Sequence, residues 1–278
     1  VAALGGITTT ARLLQQGVHP DAIRRAVVRR GSLLRPRRGI IALRSTPRPI
    51  LRAVAAGGAL AATSAAEFYG IWVPTDARLH ISVRSDAPTS RDPRVVIHRD
   101  LHHLKTAEKF VVSRESCVRQ CIRNLPFDQA VAVVDSARHQ DRGGAVPQLD
   151  LSRLRFDLPA RLHPVIDASD ERAEAGAESL ARVRLARSGV TARPQVWIAR
   201  GIRVDLLIGD RLVVEIGSQE FHAHPDQYEA DHTRAATIVG LGFELLEFTT
   251  LQVVNDWATV EGVILERARP RVTLNQQY

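Results

Sequence analysis

The chain has 278 residues, of which 45% are hydrophobic and 24% charged, a size beyond one ordinary hydrophobic core, so two domains or one plus a small module are expected. No apolar stretch approaches the ~20 residues that cross a bilayer, and the N-terminus lacks the basic start and apolar run of a secretory signal; a soluble, cytoplasmic protein with no membrane partner is expected. Charge is segregated: residues 1–52 hold eleven Arg against one acid, Asp21, a net +10, while the whole chain is +8 and the remainder therefore −2, the asymmetry expected where phosphates are neutralised and counterions released.

Ile7 to Gly17 offers a hydroxyl N-cap, a short helical run with a Leu pair and a terminating Gly. After a turn at Val18-His19-Pro20-Asp21, a second helix runs from Ala22 to Arg30 and ends at Gly31. Its Ile23, Ala26 and Val27 share one face, and Arg24, Arg25 and Arg29 lie on the exposed arc. Leu33 to Leu43 reads as two extended runs around a basic Pro/Gly turn, a hairpin. Helix, turn, helix and basic hairpin is the order of a winged helix-turn-helix, whose second helix enters the major groove and whose wing touches backbone. The expected DNA contacts are Thr9, Thr10, Arg24, Arg25, Arg29 and Arg30 on the helices and Arg35, Arg37 and Arg38 on the wing.

Ile50 to Gly70 predicts two packed Ala-rich helices broken at Gly57-Gly58, which lacks the context of a phosphate loop. Leu79–Val83, Arg94–His98 and Phe110–Val112 predict short strands, and Cys117–Arg123 and Phe127–Arg138 predict helices. Cys117 and Cys121 fall one turn apart on a helix and read as free thiols. His98, His102 and His103 read as a surface loop, because no further ligand completes a metal site. Trp72, Trp197 and Trp257 stand among apolar neighbours and read as core. The Gly-rich, polar segment 140–147, closed by Pro147, is the expected main linker. Beyond it a helix at 170–188, strands at 195–199, 202–208 and 211–216, a helix at 226–239, a strand at 243–248 and a helix at 251–267 give the order αβββαβα.

In that region Asp205 and Glu215 occupy neighbouring strands and Glu178 the preceding helix. Three converging carboxylates suit Mg²⁺, a hard ion that wants oxygen ligands. Arg203-Val204-Asp205-Leu206-Leu207-Ile208 through Leu212-Val213-Val214-Glu215-Ile216, then Phe221-His222 and Gly242 to Phe248, resemble the PD-(D/E)XK nuclease-like fold over residues 170–250, especially its small Vsr-like members. The resemblance implies a restriction-endonuclease-like αβββαβ topology, with Glu178, Asp205, Glu215 and Gln219 as candidate catalytic residues and Asp205 and Glu215 as Mg²⁺ ligands if the site is active. Two positions past Glu215, where that family places Lys or, in many Vsr-like members, Asp, stands Gly217. Gly can neither orient water nor steady a developing phosphorane charge, so a degenerate domain without a cofactor is expected.

The N-terminal half resembles the winged-helix domain of AbiEi-type antitoxins at Ile7–Leu14 with Gly17, at Ala22–Val27, and in the Arg-Gly-hydrophobic wing Leu34–Leu43. The similarity continues through Phe110–Arg114 and Ala130–Ala137, with Asp135-Ser136-Ala137, and covers most of residues 5–140. It implies a bacterial type IV antitoxin that binds the double-stranded promoter of its own operon, represses it, and neutralises a nucleotidyltransferase toxin without needing stable contact. The alternative is a Mg²⁺-dependent DNA endonuclease or nickase targeted by the winged helix. The expected architecture is α+β and multi-domain: a winged helix-turn-helix at 1–52, a middle α+β region at 53–145 and a nuclease-like α/β domain at 146–278.

Overall fold

The computed structural model describes residues 1–28, 31–87, 92–99, 110–143, 148–217 and 225–269, the side chains of 225–231 excepted. The protein is mixed α+β and divides into two compact units: Val1–Leu125 with Ser152–Leu158, and Pro126–Leu151 with Pro159–Tyr278. The division falls at Leu125/Pro126, well before the expected linker, and the helix at Phe127 runs on to Arg142, into that linker.

The first unit opens with β1 (Ile7–Thr9), α1 (Thr10–Gln15), α2 (Pro20–Val28), β2 (Leu33–Arg37) and β3 (Ile40–Leu43). The strands form an antiparallel sheet in the order β1-β3-β2. Ile7–Thr9, which leads into the expected hydroxyl N-cap, is a strand, with Ile7 opposite Ala42 and Thr9 opposite Ile40. β-branched residues suit that pleat, and the helix starts only where Thr9 becomes its N-cap, its side chain accepting from the Arg12 amide at 3.2 Å. Leu13, Ile23 and Ile41 form the small core under this sheet, with Val18, Val27 and Leu33 packed around them.

Next come α3 (Arg48–Ala55), β4 (Ala59–Leu60), α4 (Ala62–Phe68), β5 (Leu79–Ser82), β6 (Val95–His98) and α5 (Arg114–Asn124). The Gly57-Gly58 break is required by geometry. Gly57 has φ +94, and a Cβ at Gly58 would lie 2.6 Å from the Ser82 carbonyl, because the chain turns there into β4 beside β5. The second sheet runs β4-β5-β6. The expected strand at 110–112 contributes only a bridge from Val111 to Leu60. One expectation reverses in this unit. His98 is buried in β6, stacked on His80 with ring centroids 5.1 Å apart, rather than lying in a surface loop; His102 and His103 lie outside the described residues. Cys117 and Cys121 are free, as expected, and buried; burial pushes the Cys117 thiol up to about 12 and raises Cys121 as well, so neither forms a ready thiolate.

The chain enters the second unit with α6 (Phe127–Arg142), returns through α7 (Leu151–Phe156), whose residues from Ser152 belong to the first, and continues with α8 (His163–Asp167) and α9 (Gly176–Arg187). The expected helix at 170–188 begins only at Gly176. Asp170 accepts from the Arg172 amide at 3.0 Å, and its own amide donates to Asp135, which turns the backbone instead of coiling it. Asp135 is fully buried and paired to Arg182 at 2.8 Å, and Asp128 holds Arg184 at 2.7 Å; these pairs tie α6 to α9.

Then follow β7 (Ala192–Ala199), β8 (Ile202–Ile208), β9 (Leu212–Gly217), α10 (Pro225–Gly240), β10 (Glu244–Thr249), α11 (Thr250–Asn255) and α12 (Trp257–Ala268). The sheet order is β10-β9-β8-β7, with β10 parallel to β9 and the other neighbours antiparallel. Its packing centre is Val204, Leu207, Val213 and Ile238. The expected final helix is two, separated at Asp256.

Candidate functional site

Two places gather chemistry. In the first unit, Arg24 and Arg25 on α2 and Arg35, Arg37 and Arg38 on and after β2 are all exposed, while Ile23 of α2 is buried beneath them. The amphipathic pattern of α2 thus separates a packing face from a cationic one. Arg24 meets Asp21 at 3.5 Å across the helix surface, an exposed pair that adds little stability. Arg37 lies across Gly57, where any side chain would displace it. Thr9 is committed to its capping bond, and Thr10 opens α1, half-buried. Arg29 and Arg30 lie outside the described residues. Arg44, overlooked in the sequence, hydrogen-bonds the Gly31 carbonyl beyond α2.

In the second unit the three expected carboxylates converge. The β8–β9 ladder pairs Ile208 with Leu212 through Leu206 with Val214; just beyond, the Asp205 carboxylate, in place of a main-chain carbonyl, accepts from the Ile216 amide at 2.9 Å. Gln195 on β7 joins the cluster, its side-chain amide donating to Glu178 at 2.9 Å and to Asp205 at 3.2 Å. Glu178 also accepts from the Glu174 amide at 3.2 Å. Gln195 holds φ +54, a left-handed conformation that a non-Gly residue adopts only where its surroundings impose it. On the far side, Arg234 of α10 donates to Glu215 at 2.7 Å and to the Arg203 carbonyl at 2.6 Å.

Burial, then the charge of Asp205, pushes both Glu178 and Glu215 up to about 7; Arg234 opposes the rise at Glu215 and the Gln195 amide opposes it at Glu178. Burial also raises Asp205, against the bonds from Ile216 and Gln195. Near neutrality the cluster therefore holds and exchanges protons. Oxygen donors of this kind suit a hard cation in chemistry. In arrangement they do not form a cage for one: the Gln195 amide stands between two carboxylates, Arg234 engages the third, and among the described residues no three His, Cys, Asp or Glu side chains are placed to hold a metal ion. At Gly217 an added Cβ would meet nothing within 4 Å, so the small residue there is not demanded by packing. Gln219 lies outside the described residues.

Neither Gln195 nor Arg234 was singled out by sequence reading. Each is one polar residue among others in its strand or helix, and only the folded sheet and helix bring them to the carboxylates. Trp197, expected in the core, is 64% exposed on β7. A further polar chain was also missed: in the first unit His80 bonds Asp76 at 3.0 Å on one side and His98 at 3.0 Å on the other. Comparison with protein-family models finds no match, and comparison with curated proteins finds none either.

Proposed function

We propose that this chain binds double-stranded DNA through residues 1–52, folded as a winged helix-turn-helix, represses its own operon and acts as the antitoxin of a type IV pair against a nucleotidyltransferase toxin. The observation that carries the DNA-binding step is the coincidence of the +10 segment with one small sheet-and-two-helix module whose Arg24, Arg25, Arg35, Arg37 and Arg38 are exposed. In this reading α2 enters the major groove, the β2–β3 hairpin is the wing, and the Arg side chains neutralise phosphates on both sides of the groove. The toxin and the operon come from the AbiEi-type resemblance. The carboxylate unit then serves as scaffold, its protons and its Gln195 and Arg234 bonds taking the place of a bound ion.

A second reading, a Mg²⁺-dependent endonuclease or nickase, is favoured by one observation: Glu178, Asp205 and Glu215 are gathered beside the point where β8 and β9 stop pairing. A salt titration of binding to the chain's own promoter DNA, read by fluorescence anisotropy with Mg²⁺ present and followed on a denaturing gel, separates the two. Intact DNA bound in preference to unrelated duplex supports the repressor; cut DNA supports the enzyme. Arg24→Ala with Arg25→Ala is expected to weaken promoter binding and to flatten the dependence of log K on log salt by about 2, near one for each phosphate that the pair would neutralise. An unchanged slope overturns the module assignment.

A further inference from the structure

We infer that Trp197 and Arg203 form a stacking platform for a base of single-stranded DNA on the β7–β8 ribbon. This extends the DNA-binding reading to a second contact, on residues that reading does not use. Among the described residues β7 is an edge of its sheet, paired with β8. On it Trp197 leaves 64% of its surface to solvent, and the Arg203 guanidinium lies 5.7 Å from its ring centroid. Arg203 is itself paired with Glu174 at 2.8 Å. An indole with a cation over its ring and most of its surface open is an element that single-strand binders use, because every base has a π-face to stack.

Charge complementarity selects the occupant. Residues 192–204 contain Arg193, Arg200 and Arg203 and no acid. Arg193 and Arg200 are exposed at either end of the strand that carries Trp197, where they meet the phosphates of a strand running along β7. The register adds a direction. Trp197 faces Arg203 across the ladder, and Gln195, two positions back on β7, bonds Asp205 and Glu178. A strand laid along β7 with a base on Trp197 carries a neighbouring nucleotide about 7 Å away, toward Gln195. Burial raises all three carboxylates, which lowers the charge they carry and their repulsion of that phosphate.

The test uses the full chain and a short fluorescein-labelled oligo(dT), with Ca²⁺ present, and reads both anisotropy and quenching of tryptophan emission. Trp197→Ala is expected to weaken oligo(dT) binding by about 5- to 100-fold and Trp197→Phe by much less. Both are expected to leave duplex promoter binding unchanged, since that belongs to Arg24 and Arg25. Arg24→Ala with Arg25→Ala is expected to do the reverse. Unchanged oligo(dT) affinity in Trp197→Ala overturns the platform even if the duplex reading stands; loss of duplex binding in the Arg pair alone leaves the platform judged on its own result. Sedimentation velocity on the same proteins covers a rival occupant. If Trp197→Ala converts a dimer to a monomer and oligo(dT) binding does not change, β7 is a contact between copies of this chain and the platform is overturned.

Discussion

Glu178 shows how one residue can be stabilised in place and yet destabilise the ionised protein. Its carboxylate takes the Gln195 amide and the Glu174 amide, but burial beside Asp205 pushes its pKa from 4.5 up to about 7. A raised folded-state pKa contributes stability that is fully present below pH 4.5 and lost as pH rises through about 7. Glu178→Gln keeps a carbonyl acceptor for both donors and carries no charge. It is expected to raise the melting temperature at pH 8, by the equivalent of roughly 1–3 kcal/mol, and to change it little at pH 5. Equal shifts at the two pH values in differential scanning fluorimetry would show that the cluster does not hold protons. The burial of Cys117 and Cys121 is the opposite case, a chemistry-bearing residue type that packing has made inert.

Among the elements, the turn from α3 into β4 is the most tightly constrained. An Ala-rich run ordinarily continues as helix, yet Gly57 at φ +94 and Gly58 against the Ser82 carbonyl turn it into a two-residue strand. Gly58→Ala places a methyl 2.6 Å from a backbone oxygen that the β4–β5 pairing holds still. It is expected to cost roughly 1–3 kcal/mol, the range for overpacking, measured as a lower urea midpoint at unchanged m-value. Periodicity revealed α2, β8 and α10 because each is long enough to repeat its pattern. It did not reveal β1 or β4, which have three and two residues and exist only because a partner strand lies beside them. Nor could it separate α11 from α12: the break at Asp256, where the backbone leaves helical geometry at φ −135 and ψ 49, has no Pro or Gly to mark it.

Across the whole molecule the two units carry titrating groups of opposite sense. In the first, burial holds His80 below its usual 6.5, between Asp76, Arg78 and His98, with Asn124 beyond His98. A depressed His contributes stability present above pH 6.5 and lost as pH falls. In the second, Glu178 and Glu215 gain stability on the same change. Hydrogen-exchange protection factors at pH 7 and pH 5 are expected to fall in β5 and β6 and to rise or hold in β8 and β9. A parallel change in both units would refute the assignment of these groups. Among the described residues no helix is long and apolar enough to cross a membrane. What the sequence determined by itself is what local order carries: the +10 segment, the helix-turn-helix-hairpin order, the αβββαβ succession, and the placing of Asp205 and Glu215 on neighbouring strands. Only the tertiary structure decided that Gln195 bridges two of those carboxylates, that Arg234 reaches the third, that His98 is buried and that Trp197 is exposed. These are contacts between residues distant in the chain, or positions on an edge strand, and a side chain's apolar neighbours in sequence do not say which face of a sheet another element will cover.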